Sequence, residues 1–100
     1  MSVIVIGHMT VAPANVEQLW VERKADFEAV ARAAQAAGAI HHRWGFGADG
    51  VVIVDEWPDI DTFQRFFESE TRIAGLMEAG GVQGPPEFEF LEARSGPDEF

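Results

Sequence analysis

The order of strand-like and helix-like periods constrains this chain more than any other feature of its sequence. Strand-like runs occupy residues 3–9, 39–46, 51–57 and 87–92, and amphipathic helical periods occupy residues 15–37 and 59–79. Apolar residues spaced three and four apart favour helices, whereas short continuous or alternating apolar runs favour strands. The resulting order, β-α-β-β-α-β, is the split βαβ arrangement. It predicts an α+β, ferredoxin-like domain, in which a four-stranded antiparallel sheet of order 4-1-3-2 has two helices on one face.

Size, charge and cysteine content limit what such a domain can do. One hundred residues predict a single domain, which we place at residues 1–94, with a loose tail at 95–100. The net charge of −10 disfavours nucleic acid and an anionic membrane surface as partners, because both require a basic protein surface. The absence of cysteine excludes disulfides, thiolate metal sites and cysteine nucleophiles. With no apolar run of membrane-spanning length and no secretory signal in view, we expect a cytoplasmic protein.

The second and third strands flank a turn sequence that decides how they pair. A type I turn on Ala48 and Asp49, followed by a left-handed Gly50, would make a three-residue hairpin with a bulge. This interpretation pairs Phe46 with Val52, Trp44 with Val54 and His42 with Glu56. Because side chains alternate across a strand, a shift of one residue would exchange the two faces.

The predicted register divides the side chains of the sheet between a face covered by the helices and an open face. The covered face would hold His41, Arg43, Asp55 and Trp57, together with Met9 of the first strand. The open face would hold His42 and Glu56 beside an aromatic set made of Trp44, Phe46, Phe88 and Phe90. An exposed patch of this kind usually marks an interface. We therefore expect a homodimer in which two sheets pack face to face and bury it.

Four segments together resemble a known group of proteins. They are VAP at 11–13, Gly38, VIVDEW at 52–57 and DTFQRF at 61–66. In this pattern a strand ends with an acidic residue and an aromatic residue. A short acidic cap and a Phe-containing helix follow the strand. This pattern is similar to the dimeric α+β barrel superfamily, and within it to the antibiotic-biosynthesis-monooxygenase-like proteins. The resemblance spans nearly the whole domain and implies a homodimer, with a pocket in each subunit between sheet and helices and Trp57 in that pocket.

The same resemblance bears on cofactors. The superfamily includes cofactor-free oxygenases, haem-degrading enzymes and isomerases, and the haem-degrading members pair the tryptophan with a strand-one asparagine and a helix-two histidine. Here Gly7 stands at about the asparagine position, and residues 59–79 contain no histidine. That departure argues against haem. The sequence also lacks a dinucleotide-binding glycine fingerprint, so we expect no cofactor.

Two adjacent histidines are the residues best suited to proton transfer, and His41, His42 and Asp55 are the catalytic candidates. Neighbours on a strand point to opposite faces, so the two histidines cannot serve one site together. On the predicted parity His41 is the general base, beside Asp55 in the helix-side pocket, while His42 lies with Glu56 on the open face and supports the dimer. The alternative is a histidine that a carboxylate holds in place with no catalytic role.

The remaining candidates would contact a small molecule or simply fill the core. The predicted substrate-binding residues are Trp57, Phe63, Phe67, Met9 and Arg43. A metal site built from His8, His42 and Glu56 is disfavoured, because no ligand pair has helical i, i+4 spacing and His8 lies near the other end of the sheet from His42. We expect no metal.

Two hypotheses for function follow from these residues and the resemblance. The first is a small-molecule enzyme of the cofactor-independent monooxygenase type, acting on an aromatic or polyketide-like substrate. The second is a non-catalytic ligand-binding or interaction dimer whose cavity is filled or vestigial. An open pocket with a histidine and Trp57 on its wall would favour the first.

Overall fold

The computed structural model describes all 100 residues. The elements in chain order are β1 (Val3–Thr10), α1 (Pro13–Glu22), α2 (Lys24–Ala37), β2 (His41–Phe46), β3 (Val51–Trp57), α3 (Ile60–Ser69), α4 (Thr71–Gly80) and β4 (Gln83–Glu92). The strands form one antiparallel sheet in the order β2-β3-β1-β4. The ferredoxin-like α+β fold and the strand order predicted from the sequence are therefore confirmed. None of the helices has the length and apolarity needed to cross a bilayer.

Each of the two predicted helices is divided in two. Arg23 leaves helical geometry with φ −121° and ψ 30°, which separates α1 from α2, and Glu70 is extended between α3 and α4. Helix α1 begins at Pro13, whose fixed φ suits the first helical position, so Asn15 lies within the helix and does not cap it. Helix α4 is capped by Glu70, whose carboxylate accepts the backbone N–H of Arg72, and Ser69 is the last residue of α3.

The pairing of β2 with β3 differs from the predicted register by one residue. The structure pairs Phe46 with Val51, Trp44 with Ile53 and His42 with Asp55. The connection is a four-residue loop, closed by the N–H of Gly47 donating to the carbonyl of Gly50, and Gly50 does not take the left-handed conformation that the predicted bulge required. Because the side-chain period of a strand is two, this single shift moves every β2 side chain to the other face.

The aromatic residues expected on the open face consequently lie on the helix side. Trp44 and Phe46 follow the register of β2, and the pairing of Phe88 with Gly7 and of Phe90 with Val5 brings β4 to the same side. The prediction that these four aromatics form the dimer face is wrong. They belong to the packing between the sheet and the helices.

The core forms where β1, β3 and β4 meet α3. Its buried centre is Val3, Val5, Trp57 and Phe63, and Phe88 and Phe90 pack against it. Phe63 contacts Phe88 at a ring distance of 5.1 Å and Trp57 at 5.6 Å. A Cβ on Gly7 would lie 2.8 Å from the Phe88 ring, so glycine is what allows that ring to lie across β1. This cluster anchors the end of β3 that bears the site.

The open face of the sheet is an apolar strip with charged residues at its edges. Its side chains follow from strand parity and are Ile4, Ile6, His8, His41, Arg43, Val52, Val54, Glu56, Glu87, Glu89 and Leu91. Val54 is 37% exposed and Leu91 43% exposed. No helix of the chain covers this face.

Candidate functional site

A cavity of about 490 Å³ lies between the helix-side face of the sheet and the helices. Its lining is mostly apolar, and the aromatic members are Phe27, Trp44, Trp57, Phe63, Phe66, Phe67 and Phe88. The helix α2 contributes small residues such as Ala31 and Ala34 and has no fully buried residue. Short side chains on this helix leave the space that larger ones would fill. The volume falls in the range of small-molecule sites.

One buried carboxylate interrupts the apolar wall. Asp55 is 6% exposed and accepts two hydrogen bonds. Its Oδ1 lies 2.6 Å from Nδ1 of His42, and its Oδ2 accepts the indole N–H of Trp57 at 3.1 Å. A buried carboxylate needs such partners, because an unpaired buried charge is strongly unfavourable. The three side chains form a continuous chain from the core to the cavity mouth.

Strand geometry brings these three residues together. Asp55 and Trp57 are two apart on β3 and therefore point to the same face. His42 pairs directly with Asp55 across the β2–β3 ladder, where opposite side chains lie about 4.5–5.5 Å apart at Cβ. Asp59 then caps α3 directly after this strand by accepting the N–H of Thr62, and that hydrogen bond lowers the pKa of Asp59. The cap holds α3 over Trp57.

The hydrogen bond to Asp55 determines how His42 presents its imidazole. A carboxylate is an acceptor, so Nδ1 bears the proton in the neutral ring and Nε2 keeps its lone pair. The side chain is 45% exposed and lies at the mouth of the cavity, with Trp44 edge-on at a ring distance of 5.9 Å. A histidine that a carboxylate holds in this way, with its second nitrogen unprotonated, has the chemistry that general-base catalysis requires.

The structure reverses the predicted sides of the two histidines. His42 joins Asp55 on the helix side, whereas His41 pairs with Glu56 and directs its side chain to the open face, although it borders the cavity at the edge strand. The expectation that His41 accompanies Asp55 is wrong. Arg43 follows the parity of His41, so its predicted place at the pocket is wrong as well.

The other predicted residues are brought together. Met9, Phe63 and Phe67 line the cavity, and Trp57 borders it while being only 1% exposed, so its ring backs the wall. The three residues of the disfavoured metal site do not converge, because His42 lies on the helix side, whereas His8 and Glu56 are on the open face.

Sequence reasoning missed several residues of the cavity. Trp44 and Phe88 were assigned to the open face, and Phe27, Phe66 and Gln35 were not considered as lining residues. A signal for Trp44 existed in the sequence. Pairing His42 with Asp55 instead of Glu56 would have placed it correctly, and that pairing needs only a four-residue loop between Phe46 and Val51.

Comparisons with known proteins support the fold. No family model matches the chain, and no curated protein matches it. Among solved structures, SnoaB, a cofactor-independent oxygenase from Streptomyces nogalater, is 20% identical, with a TM-score of 0.65 over 98% of both chains. A conserved protein from Methanosarcina mazei Go1 is 15% identical, with a TM-score of 0.67 over 94% of both chains. An antibiotic biosynthesis monooxygenase is 13% identical, with a TM-score of 0.65 over 93% of this chain and 99% of that chain.

Proposed function

We propose that the chain is a small-molecule enzyme of the cofactor-independent monooxygenase type, acting on an aromatic or polyketide-like substrate. Its fold, which is that of the antibiotic-biosynthesis-monooxygenase-like structures, supports this proposal. The observation that supports this most is the pair of His42 and Asp55 at the mouth of an aromatic-lined cavity. The base is His42, in place of His41.

The first step is removal of a proton from the bound substrate. A phenol or enol in the cavity gives its O–H proton to Nε2 of His42, and Asp55 stabilises the imidazolium that forms through its hydrogen bond at Nδ1. No Lys or Arg lines the cavity, so protonated His42 is the positive partner for the substrate anion. An anion delocalised over a ring system suits such apolar walls better than a localised one, because it loses less solvation on entry.

The second step joins the anion to molecular oxygen. The substrate anion gives one electron to O₂, and the resulting radical and superoxide combine to form a C–O bond at the conjugated carbon. The imidazolium of His42 returns its proton to the peroxide, giving a hydroperoxide and the neutral base. Loss of the remaining hydrogen on that carbon breaks the O–O bond, so one oxygen atom becomes a carbonyl and the other leaves as water.

Oxygen incorporation tests this reaction. A hydroxylated anthrone is a suitable probe, because it has an acidic, conjugated CH₂ group and yields a coloured quinone. Incubation under ¹⁸O₂ should place one labelled atom in the quinone carbonyl. His42→Asn should lower the rate on the order of 10²–10⁴-fold. His8→Asn is the matched control and should leave it nearly unchanged, because His8 lies on the open face of the sheet and does not line the cavity.

Two outcomes of this assay would contradict the proposal. If His42→Asn turns over the probe at the wild-type rate, His42 is not the base. If neither variant nor wild type turns over any conjugated phenol that binds in the cavity, the non-catalytic ligand-binding dimer becomes the better description.

We also propose that the chain forms a homodimer through the open face of its sheet. Across one row of this face Arg43 lies opposite Val54, Val54 opposite Ile6, and Ile6 opposite Glu89, so an apolar centre has opposite charges at its two edges. A two-fold axis parallel to the strands places β2 of one copy over β4 of the other. Arg43 then faces Glu89 of the partner subunit, and the apolar centre is buried at about 25 cal/mol per Å².

Sedimentation tests the assembly, with an expected mass of twice the 11.0 kDa chain. Val54→Asp should give a monomer, because a buried unpaired charge is costly. Val21→Asp is the matched control, since Val21 is 82% exposed on α1. A Val54→Asp protein that remains dimeric would show that the interface lies elsewhere.

A further inference from the structure

We infer that Trp57 is a positioning residue, which acts on His42 through Asp55 and does not itself bind the substrate. This inference rests on the proposed function, because it concerns the tautomer that the proposed base must adopt. It departs from the sequence-based expectation that Trp57 binds the substrate. Three observations support it: the burial of the ring, the direction of its N–H, and the lack of a second donor on the same carboxylate oxygen.

The indole ring lies within the cavity wall and exposes almost no surface to the ligand space. Trp57 is 1% exposed, and its ring lies 5.6 Å from Phe63 and 5.3 Å from Phe66, measured between centroids. A ring enclosed in this way offers little surface to a bound molecule. It offers instead a fixed direction for its single polar group, the indole N–H.

That N–H ends on the carboxylate of Asp55. The hydrogen bond from Nε1 to Oδ2 measures 3.1 Å, and it is the only one the structure gives to this oxygen. The terminal torsion of an aspartate has a broad, roughly two-fold energy profile, so the carboxylate plane is not determined by Asp55 alone. A rigid donor to one oxygen fixes that plane and directs the other oxygen, Oδ1, toward Nδ1 of His42.

The consequence concerns the proton on His42. With Oδ1 held in place as an acceptor, the neutral imidazole keeps its proton on Nδ1 and leaves Nε2 free as a base. Without the indole N–H, Oδ2 becomes a buried acceptor with no donor, and the carboxylate gains by turning toward water or toward the histidine in another geometry. The proton of His42 then distributes over both nitrogens.

The chain offers a matched control in Trp44. This residue also lines the cavity and lies edge-on to His42 at 5.9 Å, but its indole N–H makes no hydrogen bond within the protein. Trp57→Phe and Trp44→Phe therefore remove the same indole N–H from two residues of the cavity wall. Only the first removes a hydrogen bond to Asp55.

The direct measurement is the tautomer of His42, read from the ¹⁵N shifts of its two ring nitrogens in the protein without substrate. The other two histidines, on the open face, serve as internal references. Wild type and Trp44→Phe should show the proton on Nδ1, whereas Trp57→Phe should show a mixture of both tautomers. An unchanged Nδ1–H tautomer in Trp57→Phe would overturn the inference.

A second variant separates positioning from simple loss of folding. Replacing Trp57 with β-(3-benzothienyl)alanine keeps the bicyclic shape and puts sulfur in place of the N–H, so it should fold and still show the mixed tautomer. On the anthrone probe, Trp57→Phe should lower kcat by up to about 10²-fold with KM nearly unchanged. A raised KM at unchanged kcat would show substrate contact instead. A mixed tautomer without any turnover in wild type would sustain the positioning role while the proposed reaction fails.

Discussion

Replacing Asp55 separates two roles of one carboxylate, as a partner in the core and as a partner of the proposed base. Asp55→Ala leaves the indole N–H of Trp57 without an acceptor at a site that is 1% exposed. A buried unsatisfied donor costs about 1–3 kcal/mol. His42 adds little to this loss, because its side chain is 45% exposed and Nδ1 can turn to water. We therefore expect the alanine variant to lose about 1–3 kcal/mol of unfolding free energy.

Asp55→Asn should behave differently because an amide can satisfy both partners. Its oxygen accepts the Trp57 N–H, and its NH₂ group donates to Nδ1 of His42, which must then lose its own proton at that nitrogen. The stability loss should stay below about 1 kcal/mol, since neutral hydrogen bonds replace charge-assisted ones and the cost of burying a charge disappears. The proposed activity should nevertheless fall strongly, because Nε2 now bears the proton and cannot act as a base.

Thermal unfolding and turnover of the anthrone probe, measured on the same samples, test this reasoning. For a domain of this size, 1 kcal/mol corresponds to roughly 4–8 °C in Tm. Asp55→Ala should therefore lower Tm by about 4–24 °C, and Asp55→Asn should lower it by a smaller amount, less than about 8 °C. All proteins must be compared at one concentration, because dimerisation shifts Tm. Equal Tm values for the two variants, or an active Asp55→Asn protein, would refute the account of Asp55.

Four further changes test the packing and the helix ends. Gly7→Ala should destabilise the fold by about 1–3 kcal/mol in urea unfolding, because its Cβ would come within 2.8 Å and 2.9 Å of two core side chains. Gly75→Ala should instead stabilise helix α4 by about 0.5–1 kcal/mol, because a Cβ at Gly75 would have no other atom within 4 Å. Phe63→Ala should cost about 3–5 kcal/mol in the same assay, because this buried ring contacts four other aromatic rings. Because the pKa of Asp59 is lowered, the stability that its cap contributes is complete above the ordinary carboxyl range and is lost as pH falls through the lowered value. Asp59→Asn keeps the cap without a titratable group, so it should flatten the fall of Tm at acid pH.

The sequence by itself determined the order of the elements, the antiparallel sheet and the end of α2. Strand and helix periods differ enough to be told apart locally. Gly38 ends α2 in the left-handed conformation, with φ 119°, where glycine has no steric penalty. The alternation within β1 and β3 also placed Met9, Asp55 and Trp57 correctly on the helix side, because those strands were interpreted from their own residues and not from a turn.

The breaks in the helices depended on contacts that the local pattern does not contain. Arg23 and Glu70 lie within continuous amphipathic periods, and neither is a residue that normally ends a helix. Asn15 suits a cap by its chemistry, yet its side-chain amide donates to the carbonyl of Gly80 at the end of α4. In the folded chain the side chain of Asn15 therefore bonds the end of α4 and does not cap its own helix.

Only the tertiary structure decided which histidine accompanies Asp55. Both faces of β3 carry apolar residues, so the alternation within β3 does not decide which of its faces the aromatic side of β2, Trp44 and Phe46, must join. The choice followed from a four-residue loop and from the pairing of β3 with β1, which are set by the closure of the whole sheet. Because a strand has a side-chain period of two, that one-residue difference moved His42 into the cavity and His41 out of it.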